Sequence, residues 1–316
     1  MPVGGIRIAP CAPIILIAGI FAVLPVQAEN FFLPSPTVTV VGESHWVRAD
    51  RRETLLDVAR RNGLGYSEMK QANPDVDMWV PEDGARVMLP TSFILPNARR
   101  RGVVVNIAEY RLYFYYQQDG QEMVATFPIS IGRMDWKTPL GDWKVTRKRT
   151  RPTWRPPKSI IAEYAADGEV LPRVVPPGPE NPLGDYAINI SAPGYLIHGT
   201  NRPRGVGMQV THGCLRMLPE DIEWLFPQVP SGLPVTIVDQ PVKIGWRDGR
   251  LYLEAHYALE EEAPEELEGL VNRIKSSAQA ARVELDLQAM RRVLIERLGV
   301  PEPISPELER TQTAAR

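Results

Sequence analysis

The sequence predicts a mainly β protein, in which a small mixed α/β unit precedes a larger β domain and a hairpin with helices follows it. Short runs of β-branched and aromatic residues recur between positions 102 and 239, with turn residues between them at hairpin spacing. No long helical pattern alternates with these runs, which argues against a doubly wound parallel sheet. The larger domain, residues 102–239, is therefore predicted to be a β-sandwich or a barrel-like sheet.

The N-terminal segment, residues 1–28, has the pattern of a secretory signal. One basic residue, Arg7, precedes an apolar run over residues 14–26. This run is shorter than the roughly 20 residues that a membrane-spanning helix needs. A small residue at the end of the run suits cleavage near Ala28. The sequence therefore predicts an exported protein, and an uncleaved membrane anchor is the alternative.

Residues 43–91 are predicted to form a strand–helix–helix–strand unit. Apolar residues share one face of a short helix over 53–63, which ends at an Asn-Gly stop signal. A second helix is predicted over 66–72, and a strand over 86–90 closes the unit. Its Thr-Leu-Leu-Asp-Val-Ala-Arg, Ala-Asn-Pro and Val-Met-Leu-Pro stretches resemble a LysM module, which implies binding of glycan chains that contain N-acetylglucosamine. The alternative is a helical spacer packed on the next domain.

The β domain and the tail are predicted element by element. A helix is expected after Leu218, because proline and two acids open the segment. In the tail, residues 240–316, a hairpin turns at Asp248-Gly249 and apolar residues then follow helical spacing. This helix pair is expected to pack on the protein itself. The predicted strands of the β domain lie at residues 103–107, 111–116, 124–131, 142–147, 186–190, 194–197 and 234–239.

Residues 150–183 interrupt the strand pattern. Proline fixes φ and removes a backbone donor, so this segment cannot be a central strand. It is too long for a simple connector and is predicted to be an ordered excursion that covers the functional site. A passive surface loop is the alternative. The segment contains Pro152, Pro156, Pro157, Pro172, Pro176, Pro177, Pro179 and Pro182.

The candidate site lies in one short segment that contains His198, His212 and Cys214. The chain has only four histidines and two cysteines, and the other cysteine, Cys11, would leave with the signal. A lone thiol in an oxidising compartment is either inert or reactive. Histidine can take and return the proton of a cysteine nucleophile, which favours a reactive thiol. A zinc site and a buried free cysteine are the alternatives.

This segment resembles the active-site signature of the L,D-transpeptidase (YkuD; ErfK/YbiS/YcfS/YnhG) family. The signature is a histidine, a gap, and then Ser or Thr-His-Gly-Cys, a hydrophobic residue and Arg or Asn. The chain matches it with His198 and with Thr-His-Gly-Cys-Leu-Arg at 211–216. The gap, residues 199–210, is slightly short. The resemblance covers the β domain and implies a β-sandwich catalytic fold.

The resemblance also implies a role for each matching residue. Cys214 is expected to be the nucleophile and His198 the base, oriented by the carbonyl of Gly199. His212 shares a face with Cys214 if the segment is extended, and is expected to support the site. Arg216 is expected to hold a substrate carboxylate, with a structural ion pair as the alternative. Gly199, Thr211, Gly213 and Arg216 are assigned to the substrate-binding and oxyanion region.

The family implies a periplasmic acyltransferase that acts on peptidoglycan without a metal or organic cofactor. Its expected partners are stem peptides and glycan, and the acyl acceptor is either another stem peptide or a lysine of an outer-membrane lipoprotein. A net charge of −2 and the absence of a long basic run argue against nucleic acid. Two alternatives remain: a hydrolase of the same bonds, and a non-catalytic protein that binds the wall through the LysM-like unit.

Overall fold

A computed structural model describes residues 29–33, 35–259 and 264–307 of the chain. The predicted signal, residues 1–28, lies outside the described residues. Among the helices that are described, none combines the length and the apolar character needed to cross a membrane.

The described elements confirm a mainly β protein with a few helices. Two short 3₁₀ helices, Ile107–Glu109 and Pro203–Gly205, lie between strands. The helices are α1 (Leu55–Arg61), α2 (Tyr66–Ala72), α3 (Lys158–Ala166), α4 (Pro219–Gln228), α5 (Pro264–Ala281) and α6 (Leu287–Glu296). The strands are β1 (Glu29–Phe32), β2 (Val40–Gly42), β3 (His45–Arg48), β4 (Arg86–Leu89), β5 (Ser92–Ile94), β6 (Gly102–Asn106), β7 (Arg111–Gln118), β8 (Gln121–Gly132), β9 (Gly141–Thr150), β10 (Tyr186–Ile190), β11 (Leu196–His198), β12 (Gln209–Thr211), β13 (Leu215–Met217), β14 (Pro234–Val238), β15 (Val242–Arg247), β16 (Arg250–Ala255) and β17 (Glu302–Pro303).

The largest sheet has ten strands and closes on itself. The pairing runs in the order β8, β13, β11, β10, β9, β14, β6 and β7, and β7 then pairs with β8 again. The long strand β8 makes this possible, because its first part pairs with β7 and its last part pairs with β13. β1 and β12 also attach to β8. The apolar side chains inside this ring, among them Phe127, Ile188 and Ile197, form the main core.

The N-terminal unit has the predicted strand–helix–helix–strand order, with β3 and β4 antiparallel. Thr54 caps α1 by accepting a hydrogen bond from the backbone N–H of Asp57, so the helix begins at Leu55, two residues after the start of the predicted range. The unit packs on the outer face of β6, β7 and β8, where Tyr113 and Val124 join its core. A buried ion pair crosses this interface, with Arg111 Nε 2.5 Å from Glu68 Oε1. The unit and the ring therefore share one apolar interface.

The C-terminal part forms the predicted hairpin, β15 and β16, and the two helices pack against it. Ile274 in α5 and Val293 in α6 are buried against Leu253 of the hairpin. Leu287 follows the apolar spacing of the second helix in the sequence, but its side chain is 60% exposed. It is the first residue after the cap Asp286, and the buried face is carried by other positions of α6, including Val293.

A buried ionic cluster ties this hairpin to the ring. Lys243 Nζ lies 2.6 Å from Glu109 Oε2 and 2.8 Å from Glu254 Oε1, and His256 Nε2 lies 2.6 Å from Glu254 Oε1. Within the described ranges, Glu109, Glu254 and His256 are the side chains that converge closely enough to share one cation. The ammonium of Lys243 already provides positive charge there, which gives the cluster a structural role.

Candidate active site

Strand register brings three of the predicted site residues to one side of the sheet. β11 and β13 run parallel, with Ile197 opposite Leu215 and His198 opposite Arg216. Ile197 and Leu215 point into the core. Because side chains alternate along a strand, His198, Arg216 and Cys214 lie on the opposite side. Strand spacing and rise per residue place the Cα atoms of Cys214 and His198 about 8 Å apart.

His198 is buried and held in one tautomer. Its Nδ1 lies 2.7 Å from the carbonyl oxygen of Gly199. A carbonyl only accepts, so Nδ1 carries the proton and Nε2 keeps a free lone pair. Burial and, to a smaller extent, the charge of Arg216 lower the pKa of His198 to about 4, against the opposing effect of the Gly199 hydrogen bond. The ring is therefore a neutral base at pH 7.

Cys214 is half-buried and lies between β12 and β13. Its Sγ is 3.9 Å from the carbonyl oxygen of Gly194, and no hydrogen bond joins it to the His198 ring in the described part of the chain. Burial raises the pKa of the thiol to about 11, although a hydrogen bond from the Leu196 backbone and the charge of Arg216 favour the thiolate. The resting pair is therefore a neutral thiol beside a neutral imidazole.

A tight turn presents Cys214. Gly213 has a φ of +94°, and a Cβ there would come within 2.6 Å of the Tyr195 ring, so only glycine fits. The Thr211 hydroxyl donates to the carbonyl of Cys214 at 2.6 Å. The Thr138 hydroxyl donates to the carbonyl of Gly213 at 2.9 Å. Sequence reasoning did not assign Thr138 to the site, although its Thr-Pro-Leu-Gly turn was visible in the sequence.

His212 contacts the excursion that follows β9. The backbone is not extended at Gly213, where φ is +94°. The alternation of side chains along a strand therefore does not place His212 on the same face as Cys214. Instead, His212 Nε2 lies 2.9 Å from Glu163 Oε2, and the Trp136 ring meets the imidazole edge-on at 5.2 Å. Arg133 donates to the other oxygen of Glu163 at 2.6 Å. Sequence analysis missed Glu163 and Arg133, because no local pattern links them to His212.

The excursion is ordered, as predicted, and it carries helix α3. Asn181 is fully buried and anchors the segment by donating to the carbonyl of Pro152 at 2.7 Å. A bridge between Trp154 and Val175 closes the base of the segment. Since α3 contributes Glu163, the excursion contacts the active-site turn directly.

Arg216 lacks the ion pair that was the alternative explanation for it. Over the described ranges, no carboxylate lies within 4.0 Å of its guanidinium, and its Nε is buried without a hydrogen-bond partner. Burial and the charge of Arg202 lower its pKa. An unpaired, half-buried cation beside Cys214 can receive an anionic group.

The chain is similar to several known proteins. Residues 100–237 match the family model of the L,D-transpeptidase catalytic domain, YkuD. A probable L,D-transpeptidase YcfS of Escherichia coli K12 is 38% identical over 90% of this chain and 91% of its own length. The chain therefore belongs to the L,D-transpeptidase family.

Two further proteins of E. coli K12 agree with this assignment. The probable L,D-transpeptidase YbiS is 41% identical, over 77% of this chain and 81% of its own. The probable L,D-transpeptidase ErfK/SrfK is 44% identical, over 73% of this chain and 75% of its own. A solved L,D-transpeptidase from Mycobacterium smegmatis is 22% identical, with a TM-score of 0.34 over 49% of this chain and 63% of that one. The assignment rests on the sequence relatives.

Proposed function

We propose that this member of the L,D-transpeptidase family is a periplasmic enzyme that transfers the acyl end of a peptidoglycan stem tetrapeptide to an amine, with Cys214 as its nucleophile. Family membership supports the transpeptidase chemistry. The observation that carries the residue assignment is the register of β11 and β13, which sets Cys214, His198 and Arg216 on one side of the sheet.

In the first half-reaction, Cys214 Sγ attacks the carbonyl carbon of the third residue of the stem. The thiol proton passes to Nε2 of His198 during the attack, because the resting thiol is not ionised. The tetrahedral intermediate then breaks its bond to the nitrogen of the terminal D-Ala. His198 gives the proton to that nitrogen, and D-Ala leaves. A thioester between Cys214 and the third residue remains.

In the second half-reaction, an acceptor amine attacks the thioester carbon. His198 takes a proton from the amine, the carbon–sulfur bond breaks, and the proton returns to Cys214. The product is a new amide bond. No metal or organic cofactor takes part in either step, and none of the four bond changes requires an oxidant or a reductant.

The surrounding residues position these groups. Backbone N–H groups near Gly213 and Cys214 are the proposed donors to the oxyanion, and hydroxyl bonds from Thr211 and Thr138 fix the turn that carries them. Gly199 holds the tautomer of the base. His212 acts as a supporting residue, tied to α3 through Glu163.

The acceptor defines the biological reaction. Another stem peptide would give a 3→3 crosslink, and a lysine of an outer-membrane lipoprotein would attach that protein to the wall. Water as the acceptor would make the enzyme a carboxypeptidase.

The N-terminal unit is proposed to be a LysM-like module that binds glycan. Its exposed Trp46, whose ring centroid lies 4.5 Å from Arg86 Cζ, offers a flat surface for a sugar.

The test is to incubate the purified protein with tetrapeptide muropeptides, with and without an amine acceptor, and to identify the products by mass spectrometry. The proposal expects free D-Ala in amounts equal to a crosslinked product when the amine is present, and no reaction with Cys214→Ala. If tripeptide muropeptide is the product even when the amine is present, and no crosslinked product forms, the enzyme is a hydrolase. A Cys214→Ala protein that restores function in a deletion strain would identify a wall-binding protein.

A further inference from the structure

β11, which carries His198, is joined to β12 by residues 199–208, which we call the linking loop. Ser130 Oγ donates to the carbonyl of Gly205 at 2.7 Å and so fixes this loop to the long strand β8. Gly205 also borders the cation of the site, because a Cβ built on it would lie 3.8 Å from Arg216 Nη1. The position of the linking loop therefore determines the space around the guanidinium of Arg216.

A second support of the linking loop comes from the N-terminal unit. At the start of α2, the backbone N–H of Tyr66 donates to the carbonyl of Val206 at 3.2 Å. The backbone N–H of Ser67 donates to the carbonyl of Gly207 at 3.1 Å. The first N–H groups of a helix have no acceptor within that helix, so these two donors depend on the loop carbonyls. The loop and the N-terminal unit thus satisfy each other's backbone groups.

Two glycines allow this close approach. Gly207 has a φ of +88°, and a Cβ on it would lie 2.3 Å from the backbone nitrogen of Tyr66. A Cβ on Gly65 would lie 2.8 Å from the Cα of Gly207. Both distances are far below the roughly 3.5–4.0 Å that non-bonded carbon atoms favour, and the opposing atoms belong to the backbone. We refer to the contact of Gly65, Tyr66 and Ser67 with Val206 and Gly207 as the interdomain clasp.

The buried ion pair of the N-terminal unit supports the interdomain clasp. Glu68 Oε2 accepts from the backbone N–H of Gly65 at 2.6 Å. Arg111, in β7, donates to the same oxygen at 2.9 Å and to the carbonyl of Gly63 at 2.9 Å. Both side chains are buried, so water does not compete for these charge-assisted hydrogen bonds. The turn before α2 is therefore fixed to the ring, and it meets the linking loop in one orientation.

We propose that the N-terminal unit positions Arg216 through the interdomain clasp, with Gly65 and Gly207 as positioning residues. The clasp holds the linking loop beside the guanidinium of Arg216, whose Nε has no hydrogen-bond partner in the described part of the chain. The inference rests on the proposed function in one respect, which is that Arg216 receives a carboxylate of the stem peptide. The N-terminal unit then contributes to binding of the peptide, and this contribution extends to substrates that carry no glycan.

Two variants would open the interdomain clasp, and a third is their control. Gly207→Ala and Gly65→Ala each direct a methyl group into opposing backbone. Gly232→Ala is the matched control, because Gly232 has a φ of +86° and nothing lies within 4 Å of its Cβ position. It carries the same backbone strain as Gly207→Ala without touching the clasp. Gly65 has a φ of −97°, so Gly65→Ala adds no such strain and provides a second variant if Gly207→Ala does not fold.

Two measurements follow the clasp and Arg216 without substrate. Hydrogen exchange read by mass spectrometry follows the linking loop, and peptide mapping after treatment with phenylglyoxal, a reagent for guanidinium groups, follows Arg216. Both rates should rise about tenfold in the two clasp variants, as expected for the loss of two backbone hydrogen bonds, and should stay at the native value in Gly232→Ala.

Three results would overturn the proposal. The first is that the clasp variants match Gly232→Ala at the linking loop. The second is that the loop exchanges faster but Arg216 reacts at the native rate, which would make the clasp a structural contact only. The third needs no variant: if the amides of Tyr66 and Ser67 exchange in the native protein as fast as unprotected amides, the clasp does not form.

Turnover of a glycan-free tetrapeptide separates positioning from a loss of folded enzyme. In the clasp variants, KM for D-Ala release should rise about tenfold and kcat should stay within about twofold of the native value. The reason is that other hydrogen bonds, from Thr211 and to Gly199, hold Cys214 and His198. A fall in kcat with an unchanged KM would overturn the proposal. If the native enzyme releases no D-Ala, the proposed function fails, and the modification rate of Arg216 still decides the role of the clasp.

Discussion

The protonation state of Cys214 gives the sharpest prediction. The pKa of the thiol is raised to about 11 and that of His198 is lowered to about 4. Transferring the proton from sulfur to imidazole in the resting enzyme is therefore unfavourable, because the thiol holds its proton more tightly than the ring does. A thiolate–imidazolium pair is negligible at equilibrium, and the proton must move as the carbonyl carbon is attacked.

Alkylation measures this directly. Iodoacetamide reacts with thiolate, so the rate of modification of Cys214, followed by intact mass, should rise about tenfold per pH unit from pH 7 to pH 10. A His198→Ala variant should show nearly the same slope, because the neutral ring does not ionise the thiol. A rate plateau between pH 5 and pH 8 that disappears in His198→Ala would show that the resting enzyme contains a thiolate–imidazolium ion pair, contrary to this prediction.

Three other predictions concern the site and the fold. A carbapenem should add its mass to the native protein and not to Cys214→Ala, as read by intact-mass spectrometry; no adduct on the native protein would count against a reactive thiol. Glu68→Gln should destabilise the protein by about 3–5 kcal/mol in chemical unfolding, because it leaves Arg111 as a buried charge, whereas an effect below about 1 kcal/mol would contradict the buried pair. Burial raises the pKa of Asp221 to about 8, so the unfolded chain loses this proton first and stability falls as pH rises from about 4 to 8. In Asp221→Asn, the free energy of unfolding should decrease by up to roughly 5 kcal/mol less over this pH range than in the native protein. If the two proteins show the same pH dependence of stability, Asp221 ionises normally.

The local features of the fold could be predicted from the sequence. The run of β-branched residues predicted as a strand at 103–107 is β6, Gly102–Asn106, and the helix expected after Leu218 begins at Pro219. These elements are encoded by neighbouring residues, through strand-forming side chains and a proline at the first helical position. The hairpin around Asp248 was predictable for the same reason.

The closure of the sheet could not be predicted in this way. It depends on β8, a strand of 12 residues that changes partners along its length. A uniform strand pattern does not show where one partner ends and the next begins. The parallel pairing of β11 with β13 could not be predicted from the sequence either, although it decides which side of the sheet Cys214 and His198 face.

Some residues of the candidate site could be predicted from a local motif, whereas others are brought there only by tertiary packing. His198 and Cys214 were predicted from a motif, and the carbonyl of Gly199, which accepts the hydrogen bond from the His198 ring, lies next to that ring in the chain. Glu163 is 49 positions from His212, and no sequence spacing links them. Contacts between distant strands and loops are set by tertiary packing, so the structure was needed to find them.

The central claim is that Cys214 carries the acyl group of the stem peptide. The most direct measurement is intact-mass spectrometry of the protein quenched in acid seconds after mixing with a tetrapeptide and no amine, followed by peptide mapping. We expect a mass gain equal to the tripeptide acyl group, located on Cys214 and removed by an added amine. D-Ala release with no covalent adduct, or an adduct on a different residue, would contradict it.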